Sequence, residues 1–463
     1  MSLLDGLVFG AEEWGMMIFR CCGVLAGALA LSIFLPAAEA QQIAPELQKF
    51  KPAKAPAATG LYLKPGDRLA ICGDSITEQK MYSRIIEDYL TMCVPDLEVT
   101  VRQYGWSGER APGFLARMTN DCLRFQPTIA TTCYGMNDHE YRPYEDRIGK
   151  TYEEKSRAIV EAFKASGARV VIGSPGCVGK MPGWVKSASG TVDDLNQNLC
   201  TLRNIGIDIA EKEQIRFADV FWPMITAGAE AKAKFGTNFA IAGKDGVHPG
   251  WAGQTVMAYA FLKALGVDGQ LAMFRIDLSR KTLFGTKGHD VLSDQNGEYK
   301  FKSTRYPFLA CEPPGQVAAS YPECGKDDPA SDSTIRSALG LIPFNKDLNR
   351  FTLVVQNGKA NAYKVIWGEE SKTFGADQLK AGINLTEEFP INPFSAAFAK
   401  VDAAVAEKQA FETKQIKQIF HGPEGKADME KAVTDTEQEH QRLAQAIKEA
   451  FVPVTWTLKI EPQ

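Results

Sequence analysis

Residues 68–92 read RLAICGDSITEQKMYSRIIEDYLTM, and the order of what they contain decides the fold. Residues 68–72 are a short apolar run, 73–75 a Gly-Asp-Ser turn, and 81–92 carry apolar residues at helical spacing. The same alternation continues downstream. Residues 97–104 (LEVTVRQY) alternate as a strand does, 114–125 are helical again, 128–134 are strand-like, 152–166 helical, 168–173 (ARVVIG) a strand and 192–211 a helix. A strand at 215–220 and a helix at 251–265 complete the series. Strands alternating with helices of this length predict an α/β fold with a parallel sheet covered on both faces.

Beyond about residue 271 the signals change to those of hairpins. Residues 351–355 and 363–367 flank Asn357-Gly358, a strong turn signal, and Asn296-Gly297 precedes Tyr299-Lys-Phe301 in the same manner. Residues 452–460 place Val454, Trp456, Leu458 and Ile460 on one face. Between them, 395–420 and 427–451 are charged helical stretches broken at Gly422-Pro-Glu-Gly425. The expectation for 271–463 is an antiparallel β domain with a helical insertion at about 395–450.

Upstream, Arg20 precedes an apolar run at 21–35, then Pro36 and Ala38-Glu39-Ala40, the pattern of a signal peptide (1–40) cleaved after Ala40. Asp5, Glu12 and Glu13 are wrong for the start of such a segment, so Met16 or Met17 is an alternative start. The run is shorter than a spanning helix needs. A secreted or periplasmic protein with no stable membrane anchor after cleavage is therefore expected, its residues 41–60 forming an Ala/Pro/Lys-rich linker. Export permits disulfides. Of ten cysteines, eight follow the signal, with Cys311 and Cys324 the best local pair and Cys177 and Cys200 the next, although spacing alone does not give connectivity. Cys72 and Cys133 read as buried thiols in strands. A net charge of -4 and no Lys/Arg run exclude a nucleic-acid partner.

Five histidines occur: 139, 248, 289, 421 and 440. His248 lies three residues after Asp245, just before a helix, where a carboxylate can fix one ring nitrogen and leave the other to take a proton. Ser75 follows the first strand, Gly108 the second and Asn137 the third, and ligands of open parallel sheets bind at such strand ends. The backbone N–H groups of Ser75 and Gly108 and the Asn137 amide are thus candidate oxyanion donors.

Gly73-Asp74-Ser75, Gly108, Gly135-Met136-Asn137-Asp138 and Asp245-x-x-His248, in this order over roughly 61–268, resemble the signature blocks of the SGNH (GDSL-type) hydrolase family. The resemblance implies a flavodoxin-like three-layer α/β/α catalytic domain at 61–268. It also implies ester hydrolysis through an acyl-enzyme without metal or cofactor, with Ser75 as nucleophile, His248 as base, Asp245 as its partner, and Gly108 and Asn137 as oxyanion donors. Many members carry an Asn shortly before the second-block glycine; here Tyr104-Gly105 stands there, which leaves Gly105 as the alternative donor. No Gly-x-Ser-x-Gly elbow occurs.

Asp74 and Asp138 read as loop supports rather than catalysts. His139 is either a pocket residue or a solvated loop residue; His289, His421 and His440 read as surface residues. Trp106, Tyr134 and Trp251 are either a sugar-stacking rim or core edge. Asn384-Leu-Thr386 matches a glycosylation acceptor. The 271–463 unit shows no site of its own and reads as substrate positioning, attachment, structural cover or an oligomerisation element. The expected substrate is an acylated carbohydrate or cell-wall polymer. The rivals are a longer-acyl lipase or lysophospholipase, and a non-catalytic carbohydrate-binding module retaining the fold.

Overall fold

Leu69 and Ile71 on one side of the first strand and Ala70 and Cys72 on the other are all buried, the mark of a strand covered on both faces. The computed structural model describes residues 44–295, 297–313 and 321–463; the expected signal peptide lies outside the described residues. The first strand, β1 (Arg68–Gly73), leads into α1 (Ser75–Glu78) and α2 (Tyr82–Asp88). Then β2 (Thr100–Gly105) is followed by α3 (Ala111–Asp121), β3 (Ile129–Cys133) by α4 (Asp146–Ala165), and β4 (Arg169–Gly173) by α5 (Val192–Glu213). Finally β5 (Arg216–Ala218) leads to α6 (Phe221–Phe235) and α7 (Trp251–Leu265).

The five strands are parallel in the order β2-β1-β3-β4-β5, the flavodoxin-like arrangement. Because β1 lies between β2 and β3, the chain leaves β1 and β3 in opposite directions and opens a crevice at their carboxyl ends. Periodicity does not reveal α6, whose Pro223 sits in the first turn and whose remaining residues are largely small or apolar.

Two further sheets follow. One has the order β13-β10-β6-β7, from β6 (Gln270–Asp277), β7 (Thr282–Gly285), β10 (Arg350–Gln356) and β13 (Ile383–Asn384). The other has the order β12-β11-β14-β9-β8, from β8 (His289–Gln295), β9 (Glu298–Ser303), β11 (Ala362–Trp367), β12 (Glu370–Gly375) and β14 (Val454–Pro462). Pairing is antiparallel except between β6 and β10. The β8–β9 hairpin forms as expected. The hairpin expected across Asn357-Gly358 does not, because β10 and β11 belong to different sheets. There Asn357 Nδ2 donates to Asp277 Oδ2 at 2.8 Å and the Tyr363 hydroxyl accepts from Ala360 N at 2.9 Å, so the loop carries the chain between sheets.

The buried Phe274, Phe301, Phe351, Trp367 and Trp456 form the aromatic core of this part, with Phe301 stacked on Trp456 at 4.4 Å between centroids. His289 is part of that core, not the surface residue expected: its ring meets Ser303 Oγ at 2.8 Å and Leu271 O at 3.1 Å, and burial pushes its pKa down to about 4. Asn384 is bound into the structure, its amide donating to Asn349 O at 2.9 Å and accepting from Phe351 N at 3.1 Å.

The helical insertion comprises the helix Ser395–Lys414, a π-helical stretch Gln415–Phe420 and the helix Met429–Ala450. It lies along the open edge of β2. Glu412 accepts from Gln103 N at 3.0 Å, Lys408 Nζ donates to Val101 O at 2.7 Å, and Gln409 O accepts from the Gln103 side chain at 3.2 Å. Side chains of a helix thus satisfy backbone groups that an edge strand would leave unpaired. The buried cations Lys408 and Arg84 along this seam are each paired with carboxylates. Lys408 lies between Glu412 at 2.6 Å and Glu87 at 3.0 Å, and Arg84 forks onto Asp402. His440 is buried here against Glu412 at 2.9 Å, again not a surface residue, whereas His421 is partly exposed and meets Asp121 at 2.8 Å.

Residues 44–60, expected as a free linker, lie against the sheet's helices. Leu47 and Phe50 of a short helix (Pro45–Phe50) are buried, and Ala53 is held between Asn204 and Arg203 at 3.0 and 2.9 Å. Two apolar side chains within a linker-like composition make the difference. Cys311 and Cys324 form a disulfide, while Cys177 and Cys200 are unpaired and buried, as are Cys72 and Cys133.

Candidate active site

Asp74 caps α1, its Oδ1 accepting from Ile76 N at 2.9 Å, which fixes Ser75 as the first residue of the helix. A first-turn N–H has no partner inside its own helix, and that of Ser75 makes no hydrogen bond among the described residues. The Ser75 hydroxyl lies 2.8 Å from His248 Nε2, and His248 Nδ1 lies 2.7 Å from Asp245 Oδ2. The other carboxylate oxygen of Asp245 accepts from Val247 N and His248 N, both at 2.9 Å, so one side chain organises the loop and the ring together. Burial pushes the Asp245 carboxyl upward, but these two N–H groups and the imidazole outweigh it and hold it below the usual carboxylate range. With the Nδ1 proton given to Asp245, Nε2 is left as acceptor for the serine proton.

The second-block loop turns at Trp106–Glu109, Glu109 N donating to Trp106 O at 3.1 Å. Gly108 is the third residue of that turn at φ 74°, the left-handed conformation a type II turn requires there. The residue is exposed, and its N–H has no protein partner among the described residues. Gly105, the alternative donor, is buried at the end of β2 with its N–H given to Gln103 Oε1 at 3.0 Å. A Cβ at Gly105 would stand 2.2 Å from Glu78 N, so its glycine serves the close approach of β2 to α1.

Asn137 donates from Nδ2 to Glu109 O at 3.0 Å, and its Oδ1 accepts from the Tyr141 hydroxyl at 3.0 Å. The loop that brings Tyr141 back to Asn137 is strained: Glu140 and Tyr141 have φ 55° and 54°, at a cost of order 1–3 kcal/mol each. Asp138 clamps it, accepting from Gly135 N at 2.9 Å and Ala111 N at 3.0 Å, with its pKa pushed up by burial to about 6. Asp74 is likewise pushed up to about 7, by burial first and by the charges of Asp138 and Glu109. Both carboxyls thus hold backbone and neither touches the Ser75 hydroxyl. Glu109, whose carbonyl meets Asn137, is fixed by Arg117 at 2.6 and 2.7 Å and by the Tyr134 hydroxyl at 2.9 Å.

Ser75, His248 and Asp245 are therefore brought into one hydrogen-bonded chain, with Asn137 and Gly108 on loops beside it. His139 is fully buried against Tyr141, so it is not a solvated loop residue, and burial pushes its pKa down to about 4. Of the aromatic candidates, Tyr134 is buried, Trp106 lies between Arg117 and Lys417, and Trp251 meets Tyr321 edge-on. The ring beside the triad is instead Trp184, 48% exposed, its centroid 5.6 Å from that of His248. Its signal in the sequence is a lone tryptophan in the long Gly/Pro-containing connection after β4, a strand end facing the crevice.

A family model described as GDSL-like lipase/acylhydrolase matches residues 71–256, the segment that holds all of these groups. This domain belongs to the GDSL-type (SGNH) hydrolases. Membership makes the GDSL-type domain that of a carboxylic ester hydrolase. No curated protein matches the chain significantly. Among solved structures, the whole arrangement is similar to a gut microbial diltiazem-metabolizing enzyme, at 21% identity and TM-score 0.69, covering 88% of this chain and 100% of that one. The fold therefore extends, in that protein too, beyond the GDSL-type domain. A catalytic mutant of an acetylxylan esterase from Geobacillus stearothermophilus matches at 21% identity over 45% of this chain and 98% of its own, with TM-score 0.37. A putative GDSL-like lipase from Parabacteroides merdae matches at 21% identity over 45% of this chain and 99% of its own, also with TM-score 0.37.

Proposed function

We propose that this ester hydrolase is a secreted or periplasmic serine esterase that removes acetyl or other short acyl groups from a carbohydrate or cell-wall polymer. The reading rests on one observation, the hydrogen-bonded chain from the Ser75 hydroxyl through His248 to Asp245, at 2.8 and 2.7 Å. In the reaction Nε2 of His248 takes the Ser75 proton as Oγ bonds to the acyl carbon. The carbonyl oxygen becomes an oxyanion received by the N–H groups of Ser75 and Gly108 and the Asn137 amide. His248 then gives the proton to the departing alcohol oxygen, leaving acyl-Ser75. Water, deprotonated by His248, attacks the acyl carbon; the carboxylate leaves and Ser75 regains its proton.

The half-exposed Trp184 supports the carbohydrate assignment. It stands beside His248, which protonates the alcohol, so it borders the path of the alcohol half rather than of the acyl group. A flat exposed ring there suits the face of a sugar. The apolar run at 21–35 with Ala38-Glu39-Ala40 supports export. The test is hydrolysis of a panel from acetyl to long-chain esters and acetylated oligosaccharides by wild type and Ser75→Ala. Activity of wild type on acetylated oligosaccharides, abolished in Ser75→Ala, is expected. Equal activity in both proteins would sink the mechanism, and activity confined to long chains would sink the substrate class. N-terminal sequencing of the exported protein is expected to begin at Gln41.

A further inference from the structure

The turn that carries Gly108 is gripped by a residue from the far end of the chain. Glu78, the last residue of α1, accepts two hydrogen bonds from Ser107, one from its backbone N–H and one from its hydroxyl at 2.7 Å. Both oxygens of the same carboxylate lie on Lys417 Nζ, at 2.8 and 2.9 Å. Lys417 belongs to the π-helical stretch Gln415–Phe420 of the helical insertion. Trp106, the first residue of the turn, completes the grip: its ring lies 5.3 Å from Lys417 Nζ and 5.1 Å from the Arg117 guanidinium, and meets His421 edge-on at 5.0 Å. Its N–H donates to Gly73 O at 3.0 Å.

Gly108 therefore follows two residues whose positions are fixed from outside the turn. Glycine at φ 74° has no side chain to hold itself, so the aim of its N–H is set by what holds residues 106 and 107. Burial pushes the Glu78 carboxyl upward, but Lys417 and the two Ser107 donors outweigh it and keep it charged, as a fixed anchor should be.

We propose that Lys417 and Glu78 are positioning residues for the oxyanion donor Gly108, so that the helical insertion is part of the esterase machinery rather than an accessory to it. This rests on the serine-esterase reading above. Lys417 touches neither substrate nor the reacting serine; it acts through Glu78 and Ser107. An oxyanion donor contributes to the transition state more than to the bound ester. A misaimed donor consequently lowers kcat and leaves KM nearly alone.

The experiment uses the full-length protein and a soluble acetyl ester, with Lys417→Met, Glu78→Gln, the double variant and Lys417→Arg. Removing a donor outright costs roughly 100- to 1,000-fold, and displacing one by a fraction of an ångström costs less. The expected result is a fall in kcat of about 10- to 100-fold in Lys417→Met and in Glu78→Gln, with KM essentially unchanged. The double variant is expected to be no worse than the poorer single one, because the two act as a unit. Lys417→Arg, which keeps a cation for the Glu78 carboxylate, is expected to restore most of kcat, and melting temperatures measured alongside to stay close to wild type. Wild-type kcat in Lys417→Met would overturn the proposal, and so would losses that multiply in the double variant, losses that Lys417→Arg does not restore, or losses that track melting temperature. Ser75→Ala separates this from the underlying reading: its retained activity would refute the serine mechanism, whereas an inactive Ser75→Ala beside an unaffected Lys417→Met would refute only the positioning role.

Discussion

Replacing Asp245 by asparagine exchanges one oxygen for an NH2 group and reverses the logic of the site. The oxygen that accepts from Val247 N and His248 N, both at 2.9 Å, is available in asparagine, so the loop keeps its shape. The other position, 2.7 Å from His248 Nδ1, becomes a donor facing a ring nitrogen that must then accept. The imidazole proton moves to Nε2, which points at the Ser75 hydroxyl and can no longer take its proton. In a buried triad such an exchange lowers kcat about 10,000-fold, equivalent to about 5.5 kcal/mol of barrier. Here the Asp245 and His248 side chains are 41% and 26% exposed. Water can stand in for part of the carboxylate's role, which brings the expected loss to roughly 100- to 10,000-fold. The assay is steady-state hydrolysis of a soluble acetyl ester, with melting temperature measured on the same preparations. Retention of more than about a tenth of wild-type kcat by a well-folded Asp245→Asn would refute the reasoning, because the tautomer would then not be set by Asp245.

Asn137→Ala removes the oxyanion donor proposed above and is expected to lower kcat about 100- to 1,000-fold with little change in KM; parallel losses in both constants would count against that role. Tyr141→Phe leaves Asn137 Oδ1 without its donor at 3.0 Å, and a well-folded variant with several-fold lower kcat is expected, checked by kinetics and thermal melting. Trp184→Ala is expected to raise KM for acetylated oligosaccharides while sparing 4-nitrophenyl acetate; equal effects on both substrates would remove the sugar-facing role. The Asp74 carboxyl is raised in the fold to about 7, so its contribution to stability is complete below about pH 4, where the unfolded carboxyl is also protonated, and is lost as pH rises through 7. Asp74→Asn retains an acceptor for Ile76 N, and its melting temperature relative to wild type is expected to climb between pH 4 and pH 8; a constant difference would exclude the raised pKa.

The residues legible in the sequence are those whose meaning is local. Ser75 is announced by a strand, a Gly-Asp-Ser turn and a helix within a dozen residues, and Asp245 reaches His248 across a single turn of chain. Gly108 could not be separated from Gly105 by spacing; the distinction lies in which N–H is already spent, and Gln103 Oε1 takes that of Gly105. Tyr141 was hidden because two left-handed residues fold it back onto Asn137, and neither is a glycine. The Asn357-Gly358 signal is real as a turn but wrong as a hairpin, since β10 takes a parallel partner in β6, with Arg350 opposite Gln270. His289 and His440 look like surface residues in a polar stretch, and only the distant Leu271 carbonyl and Glu412 show them to be buried.

The helix along the β2 edge has a consequence for the life of the chain before it is finished. Gln103 is paired by Glu412, which emerges from the ribosome 309 residues later. Until then the hydrolase sheet exists with one adhesive border, a row of N–H and C=O groups able to recruit a strand from any neighbour. A nascent or truncated chain ending between the parallel sheet and the insertion is accordingly the species most open to edge-to-edge association, and the GDSL-type segment expressed by itself is expected to keep that border uncovered.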